Sequence, residues 1–562
     1  TKFCGRCLVT FQLFKNSSIF DTKPSRKLGS LCKQPLISIV GIWLFLTAIN
    51  ISKPFHSDDA FHLEAADHII KEPIRPMSGL IRWETHNPTP IRLSNQPPLL
   101  FYMIAGVALV FGFNEIALHL LISIFSFLAL NWFFKAATLL EVKKPIALLA
   151  LLGFCPAFVV NQNVHTDVPV MSLIIGTLYY LLLSDKREKW SYRLISILLC
   201  TIAIFIKYSA LPIIFAIGLI FALRKQYRSL LFLLIPLGLI ILWSLWNYWE
   251  FGGIHILERK AGSKSSISDR AWTFVTNLGS VAPFGVILLN YLLKKIISVF
   301  IVCVSTALLL LAAAFFYFSS VLDNERITQV LQILFFINGG IIILGSILIT
   351  YRNYQKSDSI QLFIQSNNAI VIVFLLASTA FLIGFAPFMG TRHILLTIPF
   401  FLLLSGLALM VCSSHLVKYS IIASLLLSLL LGISDWKYAY YYKNSASGIM
   451  KGMPPNSTVW ASGSNGWQWY AKKNGMRQYL REFSNPKPGD YLVIPSRITF
   501  AKIYSDNPFV VVAQIWGEAS PLTYFSVSDN YSMYLSTKGK PNWTLSKRAM
   551  DTIYVCQYPI SK

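Results

Sequence analysis

Acid is what this sequence lacks. Asp and Glu number 25 in 562 residues against 49 Lys and Arg, and charged residues of both signs reach only 13%. Hydrophobic residues make up 55% and mean hydropathy is +0.57. That apolar content exceeds what a soluble domain of this length carries, so the chain reads as an α-helical polytopic membrane protein. Cysteine is sparse too: the eight present fall mostly in apolar runs or the basic N-terminal tail and give no disulfide framework. Cys4-Gly-Arg-Cys7 has half of a zinc-ribbon spacing with no second half nearby, and reads as two ordinary thiols. No long-period repeat is present. The net charge of +24 suggests nucleic acid at first sight. Much of the excess, however, lies in short breaks between apolar runs, where the positive-inside rule accounts for it, so nucleic acid is not expected as a partner.

Against that scarcity, the stretch His56 to His68 stands out, with Asp58, Asp59, Glu64 and Asp67 inside one window. It follows the first apolar segment, 35–51, which is roughly long enough to span at about 1.5 Å per residue and is followed by no small-residue cleavage site. Residues 1–34 hold Lys2, Arg6, Lys15, Lys23, Arg26, Lys27 and Lys33 against Asp21, and are expected to stay cytoplasmic. The acidic window then lies on the outer face.

The next apolar run, 97–113, decides the topology. If it lies in the interface, the basic breaks at 135–144, 185–193, 224–228, 294–295 and 352–356 all face inward. The run is short and opened by Pro97-Pro98, so it is expected to be an interfacial or re-entrant helix. About thirteen spans follow: 35–51, 115–134, 145–160, 168–184, 191–206, 208–223, 229–249, 272–293, 296–318, 328–350, 369–387, 391–411 and 417–434. The expected domains are a cytoplasmic tail, 1–34, a transmembrane domain, 35–434, with its first outer loop at 52–114, and an extracytoplasmic α/β domain, 435–562. Strands in the last are expected at 458–461, 491–495, 509–515 and 552–558. Asn456 and Asn542 head glycosylation-type tripeptides, which are common by chance.

With this topology Asp58, Asp59, Asp167, Lys207 and Arg392 share the outer face. Each has an ordinary explanation. Asp58 and Asp59 suit the first turn of a helix capped by Ser57, Asp167 suits a turn before Pro169, Lys207 can snorkel, and Arg392 can anchor lipid phosphate. Their joint placement favours function. Lys207 and Arg392 suit a phosphate whose negative charge grows as a glycosidic bond breaks, and Asp58 or Asp59 suits the removal of a proton from an acceptor hydroxyl. Two adjacent carboxylates repel by roughly 1 kcal/mol in water at about 4 Å and roughly 4 at an effective dielectric of 20, which lets them take different roles.

At these residues the chain resembles the GT-C superfamily of polyprenyl-phosphate-sugar-dependent glycosyltransferases, in particular its protein O-mannosyltransferase and aminoarabinose transferase branch. Asp58-Asp59-Ala-Phe-His-Leu is similar to the acidic pair after the first span. Gln96-Pro97-Pro98-Leu99-Leu-Phe101-Tyr102 is similar to the segment opening a second juxtamembrane helix, and Gly112-Phe-Asn114-Glu115 to the Gly-x-Asn-Glu segment after it. The outer Asp motif fits Thr166-Asp167, the Thr-Lys-aromatic motif Ile206-Lys207-Tyr208, and the Arg-Tyr motif Arg392-His393. Gln96 stands where many relatives carry Lys or His, His393 where Tyr is usual, and Ile206 where Thr is usual.

The resemblance implies an inverting single displacement with Asp58, or next Asp59, as base. It implies donor-phosphate contacts from Lys207, Arg392 and His393, and substrate contacts from Asp167, His165, Gln96, Glu115 and Tyr208. It also implies a polyprenyl-phosphate-linked sugar donor, a lipid, glycan or protein acceptor, and no metal or other cofactor. Two other classes stay open: a metal-dependent oligosaccharyltransferase-like enzyme, and a non-enzymatic lipid or sugar transporter or flippase. The expected location is the plasma (inner) membrane, with the N-terminus cytoplasmic and the C-terminal domain outside.

Overall fold

The structure, a computed structural model, describes residues 35–81, 89–94, 96–258, 266–294, 296–386, 388–480, 484–496, 498, 509–523, 525–526, 531–532 and 539–560. The basic tail 1–34, with Cys4 and Cys7, and residues 259–265 lie outside them. Helix α1 (Pro35–Asn50) carries the chain to the acidic window. After an irregular link, α2 (Asp59–Lys71) packs against α3 (Leu99–Phe111). At 13 residues, α3 is about 20 Å long, short of the roughly 30 Å of a bilayer core. Asn114 then caps α4 (Glu115–Leu139), its side chain accepting from the Ile116 and Ala117 amides.

Helix α5 (Asp167–Arg187) packs closely both on α4 and on α6 (Trp190–Ile206). Beyond Lys207 come Leu211–Leu223 and α7 (Leu234–Phe251), then α8 (Ile267–Val281), which meets Gly285–Leu293 at a 100° bend. The long α9 (Asn324–Gln355) crosses α8 where each helix presents a glycine. A Cβ on Gly279 would collide with the Phe335 carbonyl, and one on Gly339 with that of Val275. Helix α10 (Thr391–Ile394) and the 39-residue α11 (Ser414–Gly452) complete the helical part.

Among the described residues, seven helices are long and apolar enough to cross a membrane, or eight if the bent pair counts as one span. Thirteen was the expectation; two of those runs are broken and three form shorter apolar helices. The run expected at 145–160 divides at Cys155 into Pro145–Gly153 and Pro156–Val160, and 391–411 divides into Thr391–Ile394, Ile398–Ser405 and Ala408–Val411. Both are almost entirely buried in protein. There, irregular backbone escapes the constraint that lipid imposes. Residues 35–50, 99–111, 190–206 and 208–223 form shorter apolar helices.

Helix α11 runs past residue 434 into the polar C-terminal region, so the expected boundary at 435 falls inside a continuous helix. The C-terminal sheet follows as β1 (Val459–Ala461), β2 (Arg477–Gln478), β3 (Tyr491–Pro495), β4 (Val510–Trp516) and β5 (Thr552–Gln557), in the order β2-β1-β3-β5-β4. All four expected strands are present. Helix α12 (Asn465–Lys473) crosses from β1 to the parallel β2.

Because the α8–α9 contact is backbone against backbone, Gly279→Val and Gly339→Val are expected to destabilise the protein by about 1–3 kcal/mol each, by overpacking. Gly340→Ala, with nothing within 4 Å of its Cβ, is expected to be neutral. Thermal unfolding in detergent compares the three.

Candidate active site

The residues singled out in the sequence meet in one chain of ionic contacts. Asp58 ends the link after α1, and its Oδ2 accepts from Arg392 Nη1 at 2.5 Å and lies 3.0 Å from His165 Nε2. His165 Nδ1 lies 2.7 Å from Asp167 Oδ2, and Asp167 Oδ1 accepts from Lys207 Nζ at 2.6 Å. Four separate stretches supply these groups. Local structure explains how: Lys207 leaves the helix as the extended C-cap of α6, Asp167 opens α5, and Arg392 sits in the single turn of α10. Asn161, donating to Thr391 Oγ1 at 3.1 Å, ties the loop before α5 to that turn.

The Asp58 side chain is 25% exposed while those of His165, Asp167 and Arg392 are at most 8%. Asp58 is thus the most exposed member of the chain, ahead of Lys207 at 14%. Burial pushes its carboxyl up, but the Arg392 guanidinium and the His165 hydrogen bond and charge outweigh it, holding the group well below the ordinary carboxylate value. His165 is raised: burial opposes its charged form, and the charge of Asp167 with hydrogen bonds to Asp167 and Asp58 overcomes that. As imidazolium it donates to Asp58 from Nε2 and pairs with Asp167 at Nδ1, which also lies 3.0 Å from the Thr166 amide nitrogen. As neutral imidazole it instead accepts from Arg392 Nη1, which stands 2.8 Å from Nε2. One proton separates the two arrangements. With His165 charged, the chain of Lys207, Asp167, His165, Asp58 and Arg392 carries one net positive charge, which suits an anion.

Asp59 faces elsewhere. Fully buried, it accepts the His56 N–H at Oδ2 over 2.9 Å, and burial raises its pKa against the opposing charges of His56, His165 and Lys53. Ser57 does not cap α2. Asp58 is the N-cap, without a side-chain cap bond. Gln96 Oε1 accepts from His62 Nε2 at 2.7 Å, and His62 Nδ1 lies 2.8 Å from the Asp58 carbonyl. Burial, with His165 adding, lowers His62 to about 3 and keeps it neutral. His393 is buried beside Arg392, its Nδ1 accepting from the Gly390 N–H at 3.0 Å.

Two expected site residues lie apart from the ionic chain. Glu115 pairs with Lys443 at 2.6 Å and accepts from the Tyr470 hydroxyl at 2.5 Å. The Tyr208 hydroxyl lies 2.9 Å from His255 Nδ1 and accepts from Trp243 Nε1 at 3.0 Å. Of the other two acids in the window, Glu64 accepts from Gln468 of α12 at 2.9 Å and Asp67 pairs with Lys71.

Sequence reasoning missed a buried cluster under Asp58, in which Asp435 of α11 lies 2.9 Å from Lys53 Nζ and 3.2 Å from His56 Nε2. Its signal was available. A lone carboxylate interrupting the end of a long apolar helix requires a cation.

Residues 95–249 match the family model described as dolichyl-phosphate-mannose-protein mannosyltransferase. No curated protein matches the sequence. Among solved structures, the chain is similar to ArnT from Cupriavidus metallidurans bound to undecaprenyl phosphate, with 11% identity, TM-score 0.48, and 85% of this chain and 95% of that chain covered. It is also similar to the archaeal oligosaccharyltransferase AglB from Archaeoglobus fulgidus in complex with an inhibitory peptide and a dolichol-phosphate, with 11% identity, TM-score 0.45, and 84% and 61% covered. Likeness that distant bears on no residue's role. The class defined here is a multi-pass helical membrane protein similar to the GT-C glycosyltransferases. Within that class the matched segment is similar to the mannosyltransferase branch, and it contains Gln96, Glu115, His165, Asp167, Lys207 and Tyr208, with Asp58 and Arg392 outside it.

Arg392 favours the charged form of Asp58, so its removal raises the Asp58 pKa. Where an ionised Asp58 is needed, activity is lost as pH falls through that value. The acid limb of kcat/KM is therefore expected below the ordinary carboxylate range for the wild type and about 1–3 pH units higher for Arg392→Gln. A pH–rate profile of each in proteoliposomes checks this.

Proposed function

We propose that this protein is a membrane glycosyltransferase that moves a sugar from a polyprenyl-phosphate donor, undecaprenyl or dolichyl, to an extracytoplasmic lipid, glycan or protein acceptor. One observation carries the reading: a partly exposed carboxylate, Asp58, stands within one ionic chain with Arg392 and Lys207. The donor phosphate competes with Asp58 for Arg392 and with Asp167 for Lys207. Binding the donor thus fixes the leaving group and loosens the base. Asp58, freed from its strongest cation, gains proton affinity and takes the acceptor hydroxyl's proton as that oxygen attacks the anomeric carbon. The bond to the phosphate oxygen breaks on the opposite face, inverting the centre, and the charge left on the phosphate is met by Lys207 and Arg392. Asp59, turned to the His56 amide, shapes the turn.

A divalent cation fits this donor set poorly. Asp58 already faces Arg392 and His165, Asp167 already faces Lys207 and His165, and among the described residues no group of three ligand-type side chains is arranged for a metal. The reading therefore takes no resident cofactor, unlike the oligosaccharyltransferase-like alternative. It places residues 1–34 in the cytoplasm and the C-terminal domain outside, at the plasma (inner) membrane, with the 97–113 helix in the interface.

The test is release or transfer of sugar from a panel of undecaprenyl-phosphate sugars by purified protein. Asp58→Asn is expected to lose about 10²–10⁴ in kcat. Lys207→Ala is expected to weaken donor binding, and Asp59→Asn to lose less than Asp58→Asn. A chelator is expected to have no effect, and its inhibition of turnover would favour the metal-dependent alternative. Full turnover by Asp58→Asn, or sugar counterflow without transfer, sinks the reading.

A further inference from the structure

The turn that carries Asp58 is strained and held from two sides by residues more than 370 positions away in sequence. Ser57 has φ of 51°, in the left-handed region where a side-chain-bearing residue persists only if its surroundings over-determine it. From within the fold, Asp435 binds Lys53 and His56. On the other side lies α12 of the C-terminal region. Gly466 packs so closely on the Phe55–His56 backbone that a Cβ would strike the Phe55 carbonyl and stand 2.7 Å from His56 Cα. Four residues on, the Tyr470 hydroxyl accepts the Phe55 N–H at 2.8 Å and donates to Glu115 Oε1 at 2.5 Å. Trp469 meets the Phe55 ring edge-on at 6.2 Å, and Lys443 holds Glu115.

These contacts involve none of Arg392, His165, Asp167 and Lys207 and converge on the backbone two to three residues before Asp58. We propose that α12 is part of the catalytic apparatus, with Tyr470 and Gly466 as positioning residues that fix the Phe55–Asp58 turn and so aim the Asp58 carboxylate. This rests on the reading of Asp58 as the base. A base displaced by about 1 Å loses on the order of 10²-fold in rate with little change in substrate binding. The proposal also gives Glu115 a role: it orients Tyr470 and need not touch substrate.

The experiment uses the full chain in proteoliposomes, with undecaprenyl-phosphate mannose and undecaprenyl-phosphate aminoarabinose as donor probes, beside hydrogen exchange of the whole protein. Tyr470→Phe removes one oxygen. It is expected to lower kcat about tenfold with donor KM within about twofold, and to speed exchange at 55–58 while the α12 and sheet amides keep their protection. Gly466→Ala is expected to act in the same direction. Gly448→Ala, whose Cβ meets nothing within 4 Å, is the control and is expected to match wild type. Unchanged kcat and unchanged exchange at 55–58 in Tyr470→Phe overturn the proposal. So does a loss of protection spread over the whole C-terminal region, which marks a merely structural contact. Full turnover by Asp58→Asn instead defeats the base assignment itself. If wild type turns over neither probe, exchange at 55–58 decides whether the turn is held as described.

Discussion

The contact between Arg392 and Asp58 is the one on which the rest of this structure depends. It joins the exit of the first helix to a turn more than 330 residues later, and between them His165, Asp167 and Lys207 complete a line of alternating charge. An isolated ion taken out of water costs several kcal/mol. Buried carboxylates that keep their charge must therefore be placed against a base, unlike Asp59, which accepts the His56 N–H and whose pKa burial raises. Asp58 and Asp167 are, and so is Asp435 beneath them. The helices around these residues break where the charges sit: α6 stops at Lys207, the chain turns before Asp167, and α10 lasts a single turn. Regular helix is given up at the points where side chains from separate stretches have to meet.

Pairing of this kind also makes the site responsive. Every cation suited to a phosphate is held by a carboxylate, and the base is held by a cation. An incoming anion therefore exchanges partners with groups whose desolvation has already occurred, and does not strip solvated charges. Under the proposed function the same exchange changes the proton affinity of Asp58, so donor binding and base activation are one event. His165 is set to buffer it, because its two hydrogen-bonding arrangements differ by a single proton.

Much of this was legible in the sequence, and for a physical reason. Ionisable residues in an apolar chain are costly, so Asp58, Asp167, Lys207 and Arg392 stand out one by one, and a topology argument puts them on one face. Strands in the C-terminal region were legible from their short apolar runs. What could not be read was direction. Asp59 is adjacent to Asp58 yet turns to the His56 amide, and Tyr208 follows Lys207 yet turns to His255. Those choices are made by tertiary partners. Two of the thirteen expected spans are broken for a related reason: the runs at 145–160 and 391–411 are apolar because they are surrounded by protein, and hydropathy does not separate that from lipid. The union of α11 with the C-terminal region was equally hidden, since the composition turns polar at 435 while the helix continues to Gly452.

The central claim is that a polyprenyl phosphate takes Arg392 from Asp58. The most direct measurement is a structure determined by electron cryo-microscopy of the protein in nanodiscs with undecaprenyl phosphate. The account predicts phosphate oxygens within hydrogen-bonding distance of both Lys207 and Arg392, with the guanidinium withdrawn from the Asp58 carboxylate. A phosphate bound away from both cations, or bound while the Arg392–Asp58 contact persists unchanged, contradicts it.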